Sequence, residues 1–203
     1  MNVKSKWLPA WLIALGLMVV MAGLAPAAPM HAEGTAMKGP DCLSPRMVQL
    51  KADMQKAWID HTIWTRSYIV SAISDRPDQQ DVLERLLRNQ QDIGNLFKPY
   101  YGEAFGNRLA KLLREHILIA GKIVAAAKAG NQEDVKTLQA DWHRNADDIS
   151  RFWSAANPNW PFKTLQDFLY THLELITEIV LACLAGDWKA DIAATDKNEI
   201  HMI

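Results

Sequence analysis

The sequence predicts an all-α protein, an antiparallel bundle of about five helices, four of them long, behind an N-terminal signal peptide. Three observations carry this. Beyond residue 43, apolar residues recur at steps of three and four, the spacing that turns one helix face toward a core. Short turns containing Pro, Gly or Asn separate the periodic stretches, which makes consecutive helices antiparallel neighbours. No stretch alternates with period two over a useful length, and β-branched residues are sparse.

Residues 1–27 read as a signal peptide. MNVKSK supplies Lys4 and Lys6, WLPAWLIALGLMVVMAGLA is the apolar run, and APAAPMHAEG supplies small residues. Ala25-Pro26-Ala27 offers a cleavage site, with Ala32 as a second candidate. The expected location is the periplasm or the exterior, with an uncleaved membrane anchor as the alternative. No Cys ends the apolar run, which argues against lipoprotein processing, and no later segment reads as apolar enough to cross a bilayer. Residues 28–42, rich in Ala, Gly, Pro and Met, read as a flexible arm, and residues 43–203 as one helical-bundle domain with its own core. The chain carries 22 Lys and Arg against 23 Asp and Glu. Losing Lys4 and Lys6 makes it slightly more acidic, and no basic cluster stands out. Nucleic acid and an anionic membrane surface are therefore not expected partners. Cys42 and Cys183 are candidates for a disulfide outside the cytosol. The alternative is two separate thiols, with Cys183 a small buried apolar residue.

Ser44-Pro45 is an N-cap followed by proline at the first helical position, and the first helix runs to about Ser74. Asp75-Arg76-Pro77 turns the chain into a second helix, about 78–97, which Lys98-Pro99-Tyr100-Tyr101-Gly102 breaks. The third runs from about 103 to 128 and stops at Ala129-Gly130. Asn131 caps the fourth, with Asp134 three residues on. Asn157-Pro158-Asn159-Trp160-Pro161 ends it and starts the fifth, which runs to about Ala185-Gly186, with Trp160 plugging that end of the bundle. The tail beyond supports at most a further short helix.

The apolar seams are interrupted by polar residues. The first helix presents Met47, Leu50, Met54, Trp58, His61, Thr65 and Tyr68; the third, Leu109, Leu112, His116, Ile119 and Ile123. The fourth presents Leu138, Trp142, Asn145, Ile149 and Phe152; the fifth, Leu165, Phe168, His172, Leu175, Ile179 and Cys183. Counting from the turns at about 1.5 Å per residue puts His116, Asn145 and His172 in one layer within about 5 Å. His61 joins if the first helix packs in register, and the second helix adds Gln90 or Asp92 near that level.

Buried imidazoles are costly unless paired or bound to something, and imidazole is a common ligand for Zn, Cu, Fe and Ni. The candidate metal ligands are His61, His116 and His172, with Glu115 or Asp148 as the carboxylate. Asn145, Thr65, Arg66 and Asp92 would stand behind them. The competing readings are a polar network that only sets bundle register, and a small-molecule or non-covalent haem pocket with Met54 or Met47 as axial ligand. His143 reads as surface. His201-Met202, with His31 and Met37 of the arm, reads as a disordered tail or a loose copper site. Glu-x-x-His pairs, H-E-x-x-H, C-x-x-C, a nucleophile elbow, a phosphate-cradling loop and a dinucleotide fingerprint are all missing, so the sequence specifies no enzyme class.

The segments HTIWTR, RLLRNQQDIGNLFKPYYG, LLREHILIA, WHRNADDI and FLYTHLEL resemble a family of small bacterial helical proteins with no established activity, over about residues 55 to 185. The matching positions are His61, Trp64, Thr65, Arg66, Asn89, Asp92, His116, Trp142, Asn145, Asp148 and His172. The resemblance implies a shared polar seam. The signal peptide and the two cysteines set this chain apart from many members.

Overall fold

A computed structural model describes residues 44–203. The predicted signal peptide and arm, and with them His31, Met37 and Cys42, lie outside the described residues. Six helices account for nearly all of the rest: α1 (Pro45–Ile73), α2 (Gln79–Tyr101), α3 (Glu103–Lys128), α4 (Gln132–Ala156), α5 (Phe162–Ala185) and α6 (Trp188–Met202). Each packs on the next in sequence, and α6 returns to α1, so the helices close into a ring.

The caps follow local chemistry. The Ser44 side chain accepts from the Met47 amide at 3.3 Å, and Asn131 accepts from the Asp134 amide at 3.2 Å. The second helix does not break at Lys98. It carries Pro99 in its last turn, where one backbone hydrogen bond is lost, and ends at Gly102, whose amide donates to the Lys98 carbonyl at 2.9 Å and whose φ is 90°. α2 and α3 cross where Gly94 meets Gly106. A Cβ on Gly94 would run into the Gly106 carbonyl oxygen, so backbone lies against backbone there.

The tail after Gly186 is a full member of the bundle rather than a minor appendage. Asp187 caps α6 by accepting from the Ala190 amide at 3.0 Å. Ala194 and Met202 enter the core, and the fully buried Asp191 pairs with Arg66 of α1, Nε to Oδ1 at 3.1 Å and Nη2 to Oδ2 at 2.5 Å. His201 stacks on Phe168 with ring centroids 4.3 Å apart and bonds its carbonyl at 2.9 Å through Nε2. The reading of His201-Met202 as a disordered tail is therefore corrected.

Contrary to the sequence expectation, α5 is long and apolar enough to cross a bilayer by length and composition, with mean hydropathy 1.6 over its most apolar window. Here it is a core helix, packed on α4, α6 and α1. Trp160 plugs its N-terminal end as expected. It is fully buried, with its ring centroid 5.5 Å from that of Trp153.

The core has two apolar halves. One holds Leu50, Trp58, Ile93, Phe97, Leu109, Ile149, Trp153, Leu165 and Met202. The other holds Tyr68, Ile69, Leu86, Ile117, Trp142, Leu173, Ile176, Ile179, Cys183 and Ala194. Between them every helix places a buried polar residue: His61, Asn89 and Gln90, His116, Asn145, His172 and Asn198.

Candidate functional site: a buried imidazole and amide layer

His172 is the centre of this layer. Its ring centroid lies 5.6 Å from that of His61 and 6.1 Å from that of His116, with planes 47° and 25° apart. All three rings are nearly inaccessible, at 3–4 % exposure. Trp58 meets His61 edge-on at 5.7 Å, and Trp142 covers His116 at 5.1 Å.

Each imidazole uses Nδ1 to hold a neighbouring helix. His116 Nδ1 lies 2.7 Å from Asn145 Oδ1, and Asn145 Nδ2 donates to the Leu112 carbonyl at 3.2 Å. The second bond orients the amide, so its oxygen faces the ring and Nδ1 carries the proton. Nε2 of the neutral ring is then a bare lone pair, and it has no partner among the described residues. His172 Nδ1 lies 2.8 Å from Asn198 Oδ1, and the tautomer that donates there carries its lone pair on Nε2; Asn198 Nδ2 has no partner among the described residues.

His61 differs. Its Nδ1 lies 3.3 Å from Gln90 Nε2, an amide nitrogen that also donates to the Leu86 carbonyl and to Asn89 Oδ1. That nitrogen has two hydrogens for three acceptors, so its contact with His61, the longest of the three, is the weakest; an imidazole that accepts there carries its proton on Nε2.

Burial keeps the layer neutral. Loss of hydration pulls the pKa of His61 from 6.5 to about 3, helped by the nearby His116 ring. The same desolvation pulls His116 to about 4. His172 falls well below 6.5, through desolvation first and then repulsion from His61 and His116.

The structure thus brings His61, His116, His172 and Asn145 together, and Thr65 is buried one turn from His61 with no partner for Oγ1 among the described residues. The acids named from the sequence stand apart. Glu115 is half-exposed and faces Lys111 at 4.0 Å; Asp148 is exposed and pairs with Arg151 at 3.0 Å; Asp92 is exposed. One-residue offsets along a helix turn a side chain by about 100°, which carries Glu115 off the His116 face. Arg66 pairs with Asp191 rather than with these acids. Met54 is buried apolar core, and Met47 packs against that half of the core. His143 is half-buried, bonded through Nδ1 to the Gln139 carbonyl at 2.8 Å. Cys183 is buried and pairs with no cysteine among the described residues, Cys42 lying outside them; desolvation together with Asp191 pushes the thiol pKa up to about 11.

Sequence reasoning missed Asn198 and Asp191, because both lie on α6. Asp187, an N-cap residue just after Gly186, was the available signal. Among the described residues, no three His, Cys, Asp or Glu side chains are arranged as a ready-made metal cage.

A cleft of about 240 Å³ between α3, α4 and α5 lies one turn along from the layer. Ala120, Trp142 and Ile176 line it, four, three and four residues from His116, Asn145 and His172. Trp142 both lines it and lies against the His116 ring. The chain matches no protein-family model, no curated protein and no solved structure in these comparisons.

Proposed function

We propose that this is an exported helical bundle that holds one transition-metal ion in its imidazole layer, for sequestration, delivery or sensing outside the cytosol. The observation that carries the reading is the state of His116: Nδ1–H fixed by an oriented amide, Nε2 bare, buried and without a partner among the described residues. Metal-binding histidines are prepared in this way, with the far ring nitrogen donating to a fixed oxygen. The low pKa values favour it too, because protons do not compete for the lone pairs at neutral pH. The order of basic, apolar and small residues in 1–27 supports export.

A second reading is favoured by a different observation. The Nδ1 bonds link α3 to α4 and α5 to α6, which is what a network that only sets helix register would do. Elemental analysis separates the two. The protein, purified without a histidine tag from an extracytoplasmic fraction, is compared with its His61/His116/His172 triple-alanine variant. About one equivalent of metal in the first and none in the second supports the site. No metal in either, with both still helical, leaves the register network.

A further inference from the structure

The layer combines four features that bear on which ion it suits. Its three imidazoles are almost fully buried. Their fixing partners are amides, not carboxylates. Glu115 and Asp148 turn outward to Lys111 and Arg151, and Asp147 is taken up by Gln166 and Tyr170. And among the described residues no third donor completes a cage. The cost of burying an ion grows with the square of its charge, so a dication in a buried layer held by amides rather than carboxylates is heavily penalised. Zinc also takes four ligands, and octahedral metals take six. A d¹⁰ monocation with two nitrogen ligands incurs about a quarter of that cost and needs no further ligand.

We infer that the ion is copper(I), held between Nε2 of His116 and Nε2 of His172. This rests on the metal-binding reading above and narrows it. Two nitrogens each about 2 Å from one ion, in a line, place their ring centroids roughly 6 Å apart. The observed separation is 6.1 Å. In these two rings Nδ1 faces an amide oxygen, and the tautomer that donates there turns a lone pair to Nε2, which in His116 is buried without a partner among the described residues. His61, with its Nδ1 against an amide nitrogen, is a neighbour of the ion and not its ligand. No electron transfer is involved, since the ion enters and leaves as copper(I).

The test is an anaerobic titration of the full chain with copper(I) against bicinchoninate, beside zinc(II) against a chromophoric chelator. One equivalent of copper(I) is expected, with zinc(II) not retained. Affinity should fall by more than about tenfold in His116→Ala and in His172→Ala, and stay within about threefold in His61→Gln. X-ray absorption on the wild-type copper(I) protein, which needs no variant to fold, should show two nitrogen neighbours. Zinc held as tightly as copper, three or more nitrogen neighbours, or loss of copper in His61→Gln would overturn the copper(I) assignment and leave the metal-binding reading standing. Retention of neither ion would overturn the copper(I) assignment, and absence of every transition metal from the elemental analysis would overturn the metal-binding reading with it.

Discussion

His116 and Asn145 are joined at 2.7 Å across the α3–α4 interface, and the same Asn145 side chain donates to the Leu112 carbonyl of α3. One amide therefore satisfies a buried ring N–H and a backbone carbonyl together. Replacing Asn145 by Leu fills the space and removes both partners. A loss of about 1–3 kcal/mol is expected, because two buried polar groups lose their bonds. Urea unfolding of the variant measures it, and a loss under about 0.5 kcal/mol would mean that the amide does not fix the ring.

The same cycle applied to His116 tests the function. If the layer binds metal, His116→Ala lowers the melting temperature of the metal-loaded protein more than that of the chelator-treated protein, because only the loaded wild type gains binding energy. If the layer only sets register, the loss is equal in both. Calorimetry with and without chelator reads the difference directly.

Acid should unfold this protein through its core. The folded pKa values of His61 and His116 are about 3 and about 4, and that of His172 is also well below 6.5. Each group is depressed relative to the unfolded chain, so the unfolded state binds more protons between those values and 6.5. Stability is therefore full above pH 6.5 and falls as the pH drops, by about 1.4 kcal/mol per pH unit for each histidine. Urea midpoints at pH 7, 6 and 5 check this. Replacing His172 by Gln should remove about one proton from the slope. A flat profile down to pH 5 would show that the rings are not held neutral by folding.

The ion pair between α1 and α6 predicts an asymmetry. Asp191 is fully buried, whereas the Arg66 side chain is about a third exposed. Arg66→Ala strands a carboxylate in the core and should cost about 3–5 kcal/mol. Asp191→Ala leaves an arginine that can swing into water, and should cost visibly less. Equal losses in the two variants would mean that Asp191 is reached by solvent or protonated in the fold.

The seams of α1, α3, α4 and α5 were legible because each long stretch repeats apolar residues at helical spacing, and the histidines sit within those repeats. The common height of His116, Asn145 and His172 was legible for the same reason: rise per residue is fixed and the turns are short. Two things were not. Glu115 adjoins His116 in sequence but lies about 100° round the helix, and Asp148, three residues from Asn145 on the same side, lies about 60° round, enough to turn it out to Arg151. The part of α6 was hidden because its apolar pattern is weak. Its place rests on Asp191 and Asn198, polar residues whose partners, Arg66 and His172, lie on other helices.

Two glycines should respond to one substitution in opposite senses. At Gly94 an added methyl group meets the Gly106 carbonyl and the Ala110 Cβ, which are held by α3 and cannot turn aside. At Gly121 it meets the Tyr68 hydroxyl at 3.0 Å, the far end of a side chain that can shift by a few tenths of an ångström. Alanine favours a helix over glycine by about 1 kcal/mol at both places. Gly121→Ala should therefore leave stability unchanged or raise it by up to about 1 kcal/mol. Gly94→Ala should lower it by about 1–3 kcal/mol, because α2 and α3 must move apart. The movement would also disturb Gln90, one turn away, and through it the seat of His61. Thermal unfolding of the two variants side by side decides the matter. A stabilised Gly94→Ala protein would show that the helices are not in backbone contact at this crossing.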